Sequence, residues 1–88
     1  SIQRYTEIYL VYIKMGLIDV ILNDKTPDEV MAIVREIRQL GYIQTIDFDF
    51  EYHPPRNDAI TGHMLYNRYT IFTFYKEELA SYFVLRYQ

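Results

Sequence analysis

Thr26-Pro27-Asp28-Glu29-Val30-Met31-Ala32-Ile33-Val34-Arg35-Glu36-Ile37-Arg38-Gln39-Leu40-Gly41 is the stretch whose reading decides the fold. Thr26 is suited to cap a helix, because its hydroxyl can accept from the free backbone N–H groups of the first turn. Pro27 falls at the first helical position, where its missing N–H costs nothing and its fixed φ suits the helix. Glu29 completes the capping-box spacing, and Asp28 adds negative charge near the positive end of the helix dipole. Val30, Ile33, Val34, Ile37 and Leu40 recur at three- and four-residue spacing and share one stripe, while Arg35, Glu36, Arg38 and Gln39 face water. Gly41 can take the left-handed conformation that ends a helix. Such a helix must lie across something flat and apolar.

The flanking residues supply the sheet. Upstream, Tyr5 to Ile13 are rich in aromatic and β-branched side chains and read as a strand. Lys14-Met15-Gly16 reads as a turn and Leu17 to Leu22 as a second strand. A single helix from about residue 4 to residue 22 is the competing reading, since short apolar runs cannot be separated by periodicity alone. Gly16 and the β-branched excess favour the two strands. Asn23-Asp24-Lys25 is a polar link into the capped helix.

Downstream of Gly41 the period changes to two. Ile46, Phe48, Phe50 and Tyr52 alternate with Asp47, Asp49 and Glu51, which predicts a strand with one aromatic and one acidic face. His53-Pro54-Pro55-Arg56-Asn57-Asp58 ends it, because consecutive prolines cannot stay in a central ladder. A loop is expected to run through Gly62 and His63. Tyr69 to Tyr75 reads as another strand, with Thr70, Phe72 and Phe74 on one face and Tyr69, Ile71, Thr73 and Tyr75 on the other. Lys76 to Tyr87 is expected to be a helix, with Leu79, Tyr82, Phe83 and Arg86 at helical spacing and Glu77 and Glu78 at its start. Together these give one α+β domain over residues 1–88. Its expected form is a two-layer sandwich, an antiparallel sheet with two helices on one face, ferredoxin-like with ββαββα order.

Composition narrows function more than fold. Ten Tyr, five Phe and no Trp in 88 residues suggest a sheet with a partly wet aromatic face. The formal charge of −3 counts against binding a nucleic-acid backbone, which needs excess positive charge. The absence of Cys removes disulfides, thiolate metal ligands and a Cys nucleophile together. Lys14 and Asp19 interrupt the longest apolar candidate for a membrane span, and the first residues show no signal-peptide pattern. A cytoplasmic protein is expected.

The chemistry-bearing residues form few constellations. Asp47, Asp49 and Glu51 would stand about 7 Å apart along one strand face. They are candidates for a hard-cation site, a charged face that resists aggregation, or an acidic patch for a basic protein. The charged face is the simplest of these, because no other element contributes cation ligands. His53 and His63 flank the Pro-Pro loop and, with Asp58, could form a small metal or acid–base group, although their spacing matches no metal motif. Arg56 in the same loop could hold a phosphate or carboxylate. The aromatic set Tyr9, Tyr12, Phe48, Phe50, Tyr69, Phe72 and Phe74 invites comparison with RNA-binding sheets, but Lys and Arg are nearly missing from these strands. No phosphate loop, dinucleotide-binding glycine run, nucleophile elbow or zinc motif is present, and no cofactor is implied.

Phe72-Thr73-Phe74-Tyr75-Lys76, followed by Glu77 to Arg86 with Ala80 and the terminal Phe83-Val84-Leu85-Arg86, resembles small accessory proteins of tailed bacteriophages. The T4-like phages of cyanobacteria are the nearest in kind. In those proteins an aromatic strand leads into a helix with an acidic start and a terminal Phe-x-Leu-Arg or Phe-x-Leu-Lys. The resemblance implies an accessory protein acting on a host protein in the host cytoplasm, and it carries over no catalytic residue.

These readings lead to a non-catalytic protein acting through protein–protein contacts, not an enzyme. Its candidate contact residues are Tyr9, Tyr69, Tyr75, Asp47, Asp49, Glu51, His53 and Arg56, and it is expected to form a homodimer or small homo-oligomer. The alternatives are a single-stranded nucleic-acid-binding ferredoxin-like domain and, third, a small enzyme or metal site built on His53, His63 and Asp58.

Overall fold

The computed structural model describes residues 8–87, with the side chains of residues 8–10, 12 and 14 outside that description. The expected strand residues 5–7 lie outside it as well. Ile8–Lys14 (β1) and Leu17–Asn23 (β2) pair antiparallel, Lys14 lying opposite Leu17. Lys14 therefore belongs to the strand, and only Met15 and Gly16 turn the chain. Both have positive φ, 52° and 79°, the left-handed pair whose twist matches that of the flanking strands. The two-strand reading of this region holds and the single-helix reading does not.

Asp24 leads the chain out of β2, its N–H donating to the Arg68 carbonyl and its carboxylate pairing with the Arg68 guanidinium at 2.9 Å. Helix α1 spans Pro27–Gln39 with Thr26 as its N-cap. The capping box is closed in both directions: the Glu29 N–H donates to Thr26 Oγ1 at 3.1 Å and the Thr26 N–H to Glu29 Oε1 at 3.0 Å. These bonds hold the Glu29 carboxyl below its ordinary range. Val30, Ile33, Val34 and Ile37 are buried as their spacing predicts. Leu40 is not: it is the C-cap, 51 % exposed, and Gly41 (φ 98°) takes the left-handed conformation just beyond it.

The rest of the chain forms Phe48–His53 (β3), Arg56–Asn57 (β4), Met64–Tyr66 (β5), Tyr69–Phe74 (β6) and the helix Glu77–Tyr87 (α2). The main sheet has the order β1-β2-β6-β3, each neighbouring pair antiparallel, while β4 and β5 pair only with each other. The chain order is thus ββαββββα, and the expected ββαββα order is not matched, because the presumed loop after His53 contains a hairpin of its own. β2 and β3 both run antiparallel to β6, so they are parallel to one another and need the crossover that α1 provides.

Ile18, Val20 and Leu22 of β2, Thr70, Phe72 and Phe74 of β6, and Phe48, Phe50 and Tyr52 of β3 share one face by register. Both helices pack there, since Val30, Ile33, Val34 and Ile37 join Leu79, Ala80 and Phe83 in a single buried cluster with these strands. The arrangement is α+β, with two layers and both helices on one face. Phe83 sits between the rings of Phe72 and Phe74 at 4.9 and 4.8 Å. Thr70 is wholly buried in the same layer, and its hydroxyl finds no partner among the described residues.

Glu36 overturns the expectation that it faces water. It accepts from Tyr87 Oη at 2.8 Å, Tyr82 Oη at 3.1 Å and Arg86 Nε at 3.3 Å, tying α1 to α2. The bond from Tyr87, supported by Tyr82 and the Arg86 charge, holds the Glu36 carboxyl below its usual range. Burial and the same carboxylate push the Tyr87 hydroxyl well above its usual value. Tyr82 and Arg86, read at helical spacing with Leu79 and Phe83, lie outside the buried cluster and serve as clamps. Among the described residues, no helix is long and apolar enough to cross a membrane.

Candidate functional site

With both helices on one face, no described element covers the other face of the sheet, and register puts three rows of side chains across it. Asp19, Thr73 and Asp49 form the first, Ile21, Ile71 and Glu51 the second, and Asn23, Tyr69 and His53 the third. One end of the face is therefore acidic, the middle aliphatic and the other end aromatic and amide-bearing.

At the aromatic end, His53 and Tyr69 stack with centroids 4.5 Å apart and planes 8° from parallel. Tyr66 of β5 meets Tyr69 edge-on at 6.1 Å. The hairpin thus folds its base toward the sheet and walls a groove of about 480 Å³ lined by Ile21, Asn23, Tyr66, Asn67, Tyr69 and Ile71. The size and mostly apolar lining suit a few side chains of a partner. His53 Nε2 lies 3.1 Å from Glu51 Oε1, but the angle makes no hydrogen bond.

At the acidic end, Thr73 Oγ1 donates to Asp19 Oδ1 at 2.7 Å. Asp49 Oδ1 accepts from the Phe50 N–H at 2.8 Å and from Gln44 Nε2 at 3.3 Å, and Gln44 in turn accepts from Arg38 of α1. A small recess lined by Asp49, Phe50, Glu51, Ile71, Thr73 and Tyr75 opens between these groups.

Asp47 does not belong here, contrary to the expectation that it joins Asp49 and Glu51 on one strand face. Residues 45–47 form a turn before β3 begins, and Asp47 is only 9 % exposed. It accepts from the Ile43 N–H at 2.8 Å and lies 3.7 Å from Lys76 Nζ, so it anchors the turn to the start of α2. Ile46 likewise leaves the inner face assigned to it and is 62 % exposed in that turn. The alternating pattern extended two residues beyond the strand.

The remaining candidates separate. Tyr69 lines the groove and His53 stacks on its ring, whereas Tyr75 lies one residue past the end of β6 and is exposed. Arg56 is exposed on β4, opposite Tyr66, and belongs to none of the three rows. The Tyr9 side chain lies outside the described residues. Asp58 is committed to its own turn: its carboxylate accepts from the Thr61 and Ile60 N–H groups, both at 2.8 Å, and is held below its ordinary range by them. Among the described residues, no group of His, Cys, Asp or Glu is gathered as a metal would need, and the His53–His63–Asp58 grouping does not assemble.

Sequence reasoning missed Tyr66, Ile21 and Asn67. The hairpin that brings Tyr66 and Asn67 to the face was read as plain loop, although Met64-Leu65-Tyr66 is itself a short apolar run that could have signalled a strand. No family model matches the chain, and no curated protein or solved structure was found that resembles it.

Proposed function

We propose that this chain is a non-catalytic binding protein that recognises a protein partner through the open face of its sheet. The observation that carries the reading is the groove in which Ile21 and Ile71 lie beside Tyr66 and Tyr69, next to the acids Asp49 and Glu51. Apolar area on an uncovered sheet face is typical of an interaction site, and Tyr is enriched where such contacts are strongest. The resemblance of residues 72–86 to phage accessory proteins supports a host protein as the partner and the host cytoplasm as the place of action. The β2–α1–β3 crossover around β6 supports the ferredoxin-like reading of the fold, with the β4–β5 hairpin as an insertion. Self-association as a homodimer or small oligomer belongs to the same reading.

The test uses a partner identified by affinity capture and then purified. Tyr69→Ala and Ile71→Asp are expected to weaken its direct binding at least tenfold, while Arg35→Ala on the exposed side of α1 leaves it unchanged. Equal binding by all three variants would remove the open face from the reading. Sub-micromolar, salt-sensitive binding of single-stranded RNA in a fluorescence titration would replace it with nucleic-acid recognition.

A further inference from the structure

We propose that two copies of this chain join through the outer edge of β1, pairing β1 with β1 about a two-fold axis to make one continuous eight-stranded sheet. This deepens the self-association named above and rests on it, but it assigns the contact to a different surface from the partner-binding face.

The two edges of the sheet differ in how they meet solvent. At β3, Thr45 donates to the Phe48 carbonyl at 2.7 Å and Gln44 forms a β-bridge with Phe48, so a neighbouring segment occupies the start of the edge. Asp49 and Glu51 add charge along the strand, and Pro54-Pro55 follows its end. These are the devices by which natural sheets block edge pairing. β1, Ile-Tyr-Leu-Val-Tyr-Ile-Lys, carries no charge and no proline before Lys14, no described segment pairs with its outer edge, and its ladder irregularity, between Ile8 and Leu10, is confined to its first residues. In a hairpin closed by the Lys14–Leu17 pair, alternation turns the backbone N–H and C=O of Ile13 and Val11 outward, where β2 cannot satisfy them.

The helix side of β1 is open too. Val11 and Ile13 are 41 % and 71 % exposed, and with Ile18, Val84 and Leu85 they line an apolar groove of about 420 Å³ between β1 and α2. Leu85 is 74 % exposed at its rim. Val11, Ile13, Leu85 and the turn residue Met15 leave on the order of 500 Å² uncovered in each copy, against roughly 800 Å² per partner in a stable interface. The paired backbone of β1 supplies much of the difference.

A second copy is the occupant that charge and symmetry favour. Pairing β1 with the guarded β3 edge of another copy would bring it against Asp49, Glu51 and the Gln44 bridge, and would not close. Pairing β1 with β1 closes after one step and, about an axis at Val11, sets Val11 against its own copy and Leu10 opposite Tyr12, all uncharged. Glu77, a charged residue lining the groove, belongs to the first turn of α2 and not to the strand edge that pairs.

Light scattering at micromolar concentration is expected to give twice the chain mass for the unaltered protein. Ile13→Lys combined with Leu85→Arg, both at exposed positions, is expected to give one chain mass with unchanged circular dichroism. A second readout does not depend on that variant folding. A two-fold axis at Val11 sets its Cα about 5.5 Å from its copy, within disulfide range. In this Cys-free chain, Val11→Cys is therefore expected to form a covalent dimer on mild oxidation, and Arg35→Cys is expected not to. A single-chain mass for the unaltered protein overturns the proposal and leaves partner binding by the open face standing. Equal cross-linking of the two Cys variants also overturns it. So does a dimer that survives the Ile13 and Leu85 changes but dissociates with Tyr69→Ala, which would place self-association on the open face.

Discussion

The two faces of β6 are built from alternate residues of one six-residue strand, yet they obey different rules. Thr70, Phe72 and Phe74 face the helices and are wholly buried, whereas Tyr69, Ile71 and Thr73 face outward and are only partly covered. The covered face is continuous with α1 and α2, so each of its atoms is held by neighbours from at least one other layer. Among the described residues, the outward face meets its own neighbours in the sheet, Tyr66 and Asn67. Stability is therefore concentrated on one side of the strand, and the other side is left able to change or to bind.

That contrast can be broken most sharply at Phe72. Phe72→Ala removes the ring that meets Phe50, Phe74 and Phe83, and is expected to cost about 3–5 kcal/mol in chemical denaturation. The acids test the same division. Asp47→Ala orphans the Ile43 N–H in a part-buried turn and should cost about 1–3 kcal/mol, while Glu51→Ala on the outward face should change stability by less than about 0.5 kcal/mol. If the two acids gave equal losses, the turn and the open face would not be distinct environments. Thr70→Val replaces a buried hydroxyl without a partner by a methyl group, and is expected to raise stability by about 1 kcal/mol, the one improvement available on the covered face. Ile71→Thr, one residue away on the other side, should leave the denaturation midpoint nearly unchanged.

The smallest effect expected is one of pH, at the clamp between the helices. The folded-state pKa of Glu36 is depressed, so its contribution is present above its ordinary value of 4.5 and is lost as pH falls through the lower folded value. Tyr87 has the opposite sign. Its folded pKa is raised, so stability declines as pH rises above its ordinary value of 10.0. Thermal melts of Glu36→Gln should show a flatter acid limb than the unaltered chain. An identical limb would mean that the carboxylate does not tie α1 to α2.

The elements that were legible in the sequence are those with a local cause. Thr26, Pro27 and Glu29 specify the start of α1 through bonds that span three residues, and β6 alternates without a fault. The strands from Leu17 and Phe48 were legible for the same reason. Illegible features depend on distant partners. Glu36 looks like any solvent-facing helix acid until Tyr82 and Tyr87 arrive from 46 and 51 residues away. Asp47 continues a flawless alternation, and only the turn at residues 45–47 removes it from the strand face. The groove was half legible: Tyr69 and Ile71 follow from the period of β6, but Tyr66 enters through a hairpin that a Pro-Pro pair disguises as loop.

The place of β6 between β2 and β3 has a consequence for how the chain is made. β2 leaves the ribosome long before its inner neighbour exists, since Ile18 pairs with Phe74 and Asn23 with Tyr69. While residues 24–68 are being made, β2 has no β6 to pair with, and its apolar residues have neither β6 nor α2 beside them. A chain arrested before Tyr69 has α1 and its capping box but no central strand to place it on. The interval between emergence of Asn23 and emergence of Phe83 is the period in which a chaperone, or another nascent copy, competes with β6 and α2 for the same apolar residues.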